Sequence, residues 1–126
     1  MSFSKKNLHD VEDMAAKHGF SALQEARFPR EDLHAADTGL AYLVLRPGKR
    51  QPFAHRHSAA EEIYVVISGS GRVKLDDEII DLDTMDAIRV APSVVRSFEA
   101  GHEGLELLAF GPRHAGDAEQ IQNFWD

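Results

Sequence analysis

The stretch of this 126-residue chain with the clearest chemical content is His55-Arg56-His57-Ser58-Ala59-Ala60-Glu61-Glu62. In an extended strand, residues i and i+2 share a face, so His55 and His57 offer two imidazoles to one place. A short turn through Ser58-Ala59-Ala60 lets the next strand return a carboxylate, from Glu61 or Glu62, to the same side. Two neutral imidazoles and one carboxylate suit a divalent ion, in the facial arrangement that leaves positions open for substrate or dioxygen. A His-x-His pair taken alone is more often surface decoration than a ligand set. Here the context argues for chemistry: the pair precedes a strand, a carboxylate follows it, and that strand runs into Ser68-Gly69-Ser70-Gly71.

Composition removes most competing chemistries. The chain has no cysteine, so a thiolate metal site, a cysteine nucleophile and a disulfide framework are all excluded, and its seven histidines are the soft ligands it has. No Gly-x-Ser-x-Gly elbow appears, which leaves a serine hydrolase without support. Gly69-Ser70-Gly71 is too short for a phosphate cradle and reads as a hairpin turn. With 14 Lys and Arg against 21 Asp and Glu, the formal net charge is −7. An acidic surface repels phosphate backbones, so no nucleic-acid partner is expected. No apolar run reaches the roughly 18–20 residues of a membrane span. Met1–Asn7 leads into acidic residues rather than an apolar stretch, so no secretory signal is expected and the cytoplasm is the expected compartment.

The elements that must position the histidines are short strands. Leu8, Val11, Met14 and Ala15 recur at helical spacing before Gly19, which predicts a short N-terminal helix or arm. From Ser21 onward apolar stretches alternate with turn residues. Leu40–Leu45 ends at Pro47-Gly48, Ile63–Ile67 at the Gly-rich run, and Arg72–Leu75 at a two-residue Asp76-Asp77 turn. Ile79–Leu82, Asp86–Val90, Val94–Phe98 and Leu105–Phe110 follow. Many short strands at this rhythm predict an all-β sandwich or barrel. Residues 1–126 read as one domain with a barrel core over about 21–112. The tail, Asp117–Asp126, is expected to form a turn of helix or an arm, with Ile121, Phe124 and Trp125 packing back.

Gly48 to Gly69 resembles the first cupin motif: a glycine, a His-x-His pair, a glutamate, six residues and a glycine. Glu62 is the matching glutamate, since Ile63–Ser68 separate it from Gly69, and Glu61 should point outward. The gap from Gly48 to His55 is one residue longer than usual. The resemblance covers about residues 40–110. It implies a cupin-type jelly-roll barrel of six to eight strands, with a divalent ion (Fe, Mn, Ni or Zn) held by His55, His57 and Glu62. Met85–Phe98 has the length and pattern of the second motif but departs from it. Met85 replaces a glycine, Ala91 a proline, Ser93 a glycine and Ala100 an asparagine, and Arg96 stands where cupins place their last metal-binding histidine.

A guanidinium stays protonated and has no lone pair to give, so Arg96 is no ligand. Two arrangements compete. In one, the triad holds a metal and Arg96 binds an anionic group of the substrate beside it, with Tyr64, on the face of Glu62, lining the pocket. In the other, Arg96 pairs with Glu62, fills the vacancy and leaves a barrel with no cofactor. The first describes a metal-binding cupin acting on or binding a small anionic organic molecule, with oxygenase or isomerase chemistry implied by the resemblance. The second describes a non-catalytic ligand-binding or dimerisation domain. A homodimer is expected in either case. Arg56 and Arg89 should face outward, Phe53 and Phe98 should fill the core, and His9, His18, His34, His102 and His114 should be solvated.

Overall fold

The computed structural model describes residues 2–112 and 116–126; His114 lies outside them. The N-terminal arm carries a 3-10 turn at Leu8–Asp10 and one helical turn, α1, at Met14–Lys17. Asp13 caps α1 by accepting from Ala15 N at 3.0 Å and also accepts from Ala26 N at 2.9 Å, tying the arm to the first strand. Gly19, at φ +85°, ends the arm as expected. Eight strands follow: β1 (Gln24–Arg27), β2 (Thr38–Leu45), β3 (Ala54–His57), β4 (Glu62–Leu75), β5 (Glu78–Leu82), β6 (Ala87–Val90), β7 (Arg96–Pro112) and β8 (Ala118–Ile121). All pair antiparallel. One path runs β1-β2-β7-β3-β8, while β4 pairs with β5, β6 and β7, and the sheet curls into a β-barrel.

Two elements differ from the sequence reading. Ser68–Gly71 is not a hairpin turn: β4 runs straight through it, and β7 likewise absorbs Glu99–Gly104. The β4–β7 ladder shifts register between Val66 and Ser68 and again between Gly69 and Gly71. The glycines let the strands cross at contact distance there. Gly69 sits at φ +77°, and a side chain on it would run into the carbonyl of Gly104. The second difference is the tail, where Ala118–Ile121 forms a strand rather than a helix. It pairs with β3, setting His55 against Gln120 and His57 against Ala118. Phe124 and Trp125 do pack back. Trp125 Nε1 donates to Ser97 Oγ at 3.0 Å, and its ring lies 4.6 Å from the Arg50 guanidinium. The Phe124 ring lies 4.6 Å from Lys74 Nζ.

The core is built from alternate residues of the long strands. Val66, Val73, Phe98, Leu105 and Leu107 are wholly buried, and each such side chain contributes about 1.5–3 kcal/mol of hydrophobic stabilisation. Tyr64 stands at the edge of this core, its ring centroid 4.8 Å from that of Phe98. Beyond it the barrel interior opens into a cavity. Among the described residues, no helix is long and apolar enough to cross a membrane.

Candidate metal centre

β3 places His55 and His57 on its inner face, with their ring centroids 5.1 Å apart. Arg56 points outward and meets Glu119 of β8 at 3.1 Å. The loop that follows is held by Asp117. Its carboxylate accepts from the backbone N–H groups of Ser58, Ala59 and Ala60, each at 2.9 Å, and from the Ser58 hydroxyl. That bracket lets the chain turn and start β4 with Glu62 inward and Glu61 outward. Glu61 is exposed and meets Arg89 at 3.4 Å.

One atom joins the site together. Glu62 Oε1 lies 3.2 Å from His55 Nε2, 3.1 Å from His57 Nε2 and 3.7 Å from Arg96 Nη2, and it accepts from the Tyr64 hydroxyl at 2.5 Å. Burial raises the pKa of Glu62, but hydrogen bonds from His55 and Tyr64 and the charges of His55 and His57 outweigh it and bring it down to about 2. Tyr64 goes the other way, raised by burial and then by the Glu62 charge. The Ser58 hydroxyl, with the loop N–H groups, holds Asp117 well below the ordinary carboxylate range, against some burial.

The donor set fits a divalent ion. Ligand atoms of His55, His57 and Glu62 all lie within 4.8 Å of one another. Both ring nitrogens of His57 are buried without a hydrogen-bond partner. Nδ1 is 3.2 Å from Asp117 Oδ2, close enough for charge attraction but misaligned for a hydrogen bond. A buried imidazole whose Nε2 lies beside a carboxylate without hydrogen-bonding it is the state in which a histidine ligand waits for an ion.

Arg96 is wholly buried. It donates to Pro92 O at 3.2 Å and Ala91 O at 3.4 Å, and its place beside Glu62 is that of the second arrangement. It does not line the cavity next to the triad. That cavity encloses about 740 Å3, and its wall includes His55, His57, Glu62 and Tyr64. Phe53, expected in the core, lines it opposite Phe20, whereas Phe98 is core as expected. His18 is exposed but stands at its rim. A smaller recess of about 240 Å3, which shares His57 and Glu62 with this cavity, is lined by Arg30. Sequence reading missed Asp117 and four glutamines of the cavity wall, Gln24, Gln51, Gln120 and Gln122. Gln24 and Gln120 lie on β1 and β8, strands the sequence did not mark, Gln51 and Gln122 lie outside the strands, and nothing local marks Asp117.

The chain belongs to the cupin family: residues 41–111 match the family model described as Cupin domain. Solved structures agree in fold. A cupin protein from Bacteroides fragilis superposes with a TM-score of 0.73 at 22% identity, over 92% of this chain and 88% of that one. A variant of Bacillus subtilis oxalate decarboxylase gives 0.74 at 21% identity, over 94% of this chain but 33% of its own, so this chain spans a third of that enzyme. A variant of Streptomyces PAC13 with uridine gives 0.72 at 16% identity, over 94% and 90%. At these identities the likeness is one of fold. No curated protein sequence matches the chain.

Proposed function

We propose that this cupin holds a divalent ion (Fe, Mn, Ni or Zn) through His55, His57 and Glu62. In this reading it binds or transforms a small organic molecule that reaches the ion with an anionic oxygen. The observation that carries the proposal is the buried Nε2 of His57, without a hydrogen-bond partner and gathered with His55 Nε2 around the Glu62 carboxylate. When bound, the ion supplies Lewis acidity and open positions for an oxygen of substrate, water or dioxygen. The chain's own residues do the rest. Tyr64 keeps its proton on the hydroxyl and orients Glu62 through it. Asp117 fixes the loop between the histidines and the glutamate. Arg96 braces the carboxylate from behind rather than meeting the ligand.

Elemental analysis of untagged protein, beside a His55→Ala/His57→Ala control, tests this. Near-stoichiometric metal that vanishes in the control is the expected result, and it justifies screening oxygen consumption and isomerisation with small carboxylic acids. One observation favours a second reading. Arg96 Nη2 at 3.7 Å from Glu62 places a permanent cation beside the ligand set, and this supports a metal-free ligand-binding barrel. No metal after incubation with Fe(II), Mn(II), Ni(II) and Zn(II) would leave that reading standing and remove the first.

A further inference from the structure

The large cavity has a size suited to a small organic molecule. Strand alternation decides what its wall is made of. On β1, Gln24 and Ala26 face the cavity, as does Phe28 just after it, while Glu25 and Arg27 turn away and pair with each other at 2.8 Å. On β3 the two histidines face in and Arg56 faces out. On β8, Ala118 and Gln120 face in, and Glu119 turns out to meet Arg56. Three strands thus keep charge outside and present amide, imidazole or apolar surface inside. Among the described residues lining this cavity there is no lysine or arginine, and Glu62 is the one carboxylate.

Two of the four glutamines have an amide end free to engage a ligand. Gln24 is 7% exposed, and its Oε1 has no hydrogen-bond partner. A buried amide oxygen left unpaired is unfavourable, and a turn of the Gln24 side chain about its terminal torsion would bring it to a ligand donor in the cavity. Gln51 is fixed the other way round. Phe98 N donates to its Oε1 at 3.1 Å, which leaves the NH2 as the end it can offer. Gln120 and Gln122 are exposed at the rim, and Phe20 and Phe53, edge to face at 6.2 Å, supply apolar wall.

We infer that the cavity recognises an uncharged ligand body, apolar and carrying amide- or hydroxyl-type groups. These groups donate to Gln24 Oε1 and accept from the Gln51 NH2. The inference rests on the proposed use of this cavity as the ligand site, and it holds whether or not a metal is bound. A phosphate or second carboxylate on that body would give up its hydration, meet no lysine or arginine in the wall and lie beside the Glu62 carboxyl group. An anionic head has one place to go, the ion position itself.

Matched probes with a phenyl body and different heads test this: benzamide, benzyl alcohol, benzoate and phenyl phosphate. Binding is read on metal-free and metal-loaded protein through the glutamine side-chain amide resonances in heteronuclear NMR. The neutral probes are expected to bind metal-free protein at least about tenfold more tightly than phenyl phosphate and to shift those resonances. Gln24→Leu weakens benzamide about five- to tenfold with metal content unchanged. Gln120→Ala, at the exposed rim, weakens it about twofold and carries the test if Gln24→Leu does not fold. Equal or tighter binding of phenyl phosphate or benzoate to metal-free protein overturns the inference. So does failure of the neutral probes to bind, or indifference of benzamide to both substitutions. Protein that takes no metal yet binds benzamide through Gln24 refutes the metal reading alone; loaded protein that takes only anionic probes refutes this one alone.

Discussion

Arg96 sets how strongly the three donors attract a cation. Its guanidinium stands 3.7 Å from the carboxylate oxygen that both histidines approach. At ~4 Å and an effective dielectric of about 20, two unit charges interact by about 4 kcal/mol, so the arginine opposes any ion placed there. Arg96→His removes the charge and adds an imidazole, and metal affinity should rise at least about tenfold in competition with a chelator. A fall would mean that Arg96 supports the ligand geometry more than it repels the ion. Asp117 acts in the other direction. Asp117→Ala should weaken metal binding about 10–100-fold, with Asp117→Asn recovering part of it through its remaining oxygen acceptor. The contrast between these residues follows the reach of sequence reasoning. His55, His57 and Glu62 were legible because strand parity and one turn are local. Arg96 stood out against the resemblance, yet its burial behind Glu62 was open between two arrangements. Asp117 was invisible because it lies 59 residues from the loop it brackets.

Strands that are held by one polar contact show where pH should act. Tyr42 of β2 donates to Glu106 of β7, and burial, then this bond, pushes its phenol up to about 12. A raised acid of this kind stabilises the fold fully below its unfolded value of about 10, and that contribution is lost as pH rises through 12. Tyr42→Phe should therefore flatten the stability decline in that window, measured by urea unfolding between about pH 10 and pH 12. A decline identical to that of the wild type would assign the loss to other groups. The same scale shows which elements sequence reading located. Apolar β2 and the β4–β5 hairpin at Asp76-Asp77 were legible from alternation and turn chemistry. The continuity of β4 and β7 was not, because a glycine that admits a neighbouring strand and a glycine that makes a turn look alike in sequence. β8 was missed because Ala-Glu-Gln-Ile is a weak strand signal that gains its conformation from pairing with β3.

Across the whole molecule the tail closes the barrel. Trp125, the single tryptophan, lies against Arg50 and Arg72, which both bond Glu99, and it reaches Ser97. Trp125→Ala should cost about 2 kcal/mol, read by urea unfolding followed by circular dichroism. A change under about 0.5 kcal/mol would show that the tail rides on the sheet without holding it. The Asp117 bracket also has a consequence in time. Synthesis proceeds from the N-terminus, so both histidines and the glutamate leave the ribosome well before the aspartate that shapes the turn between them. A half-made chain therefore carries the donors without their geometry. The pocket acquires its final form only when the eighth strand docks, so the site matures after its donors have been made and not as they emerge.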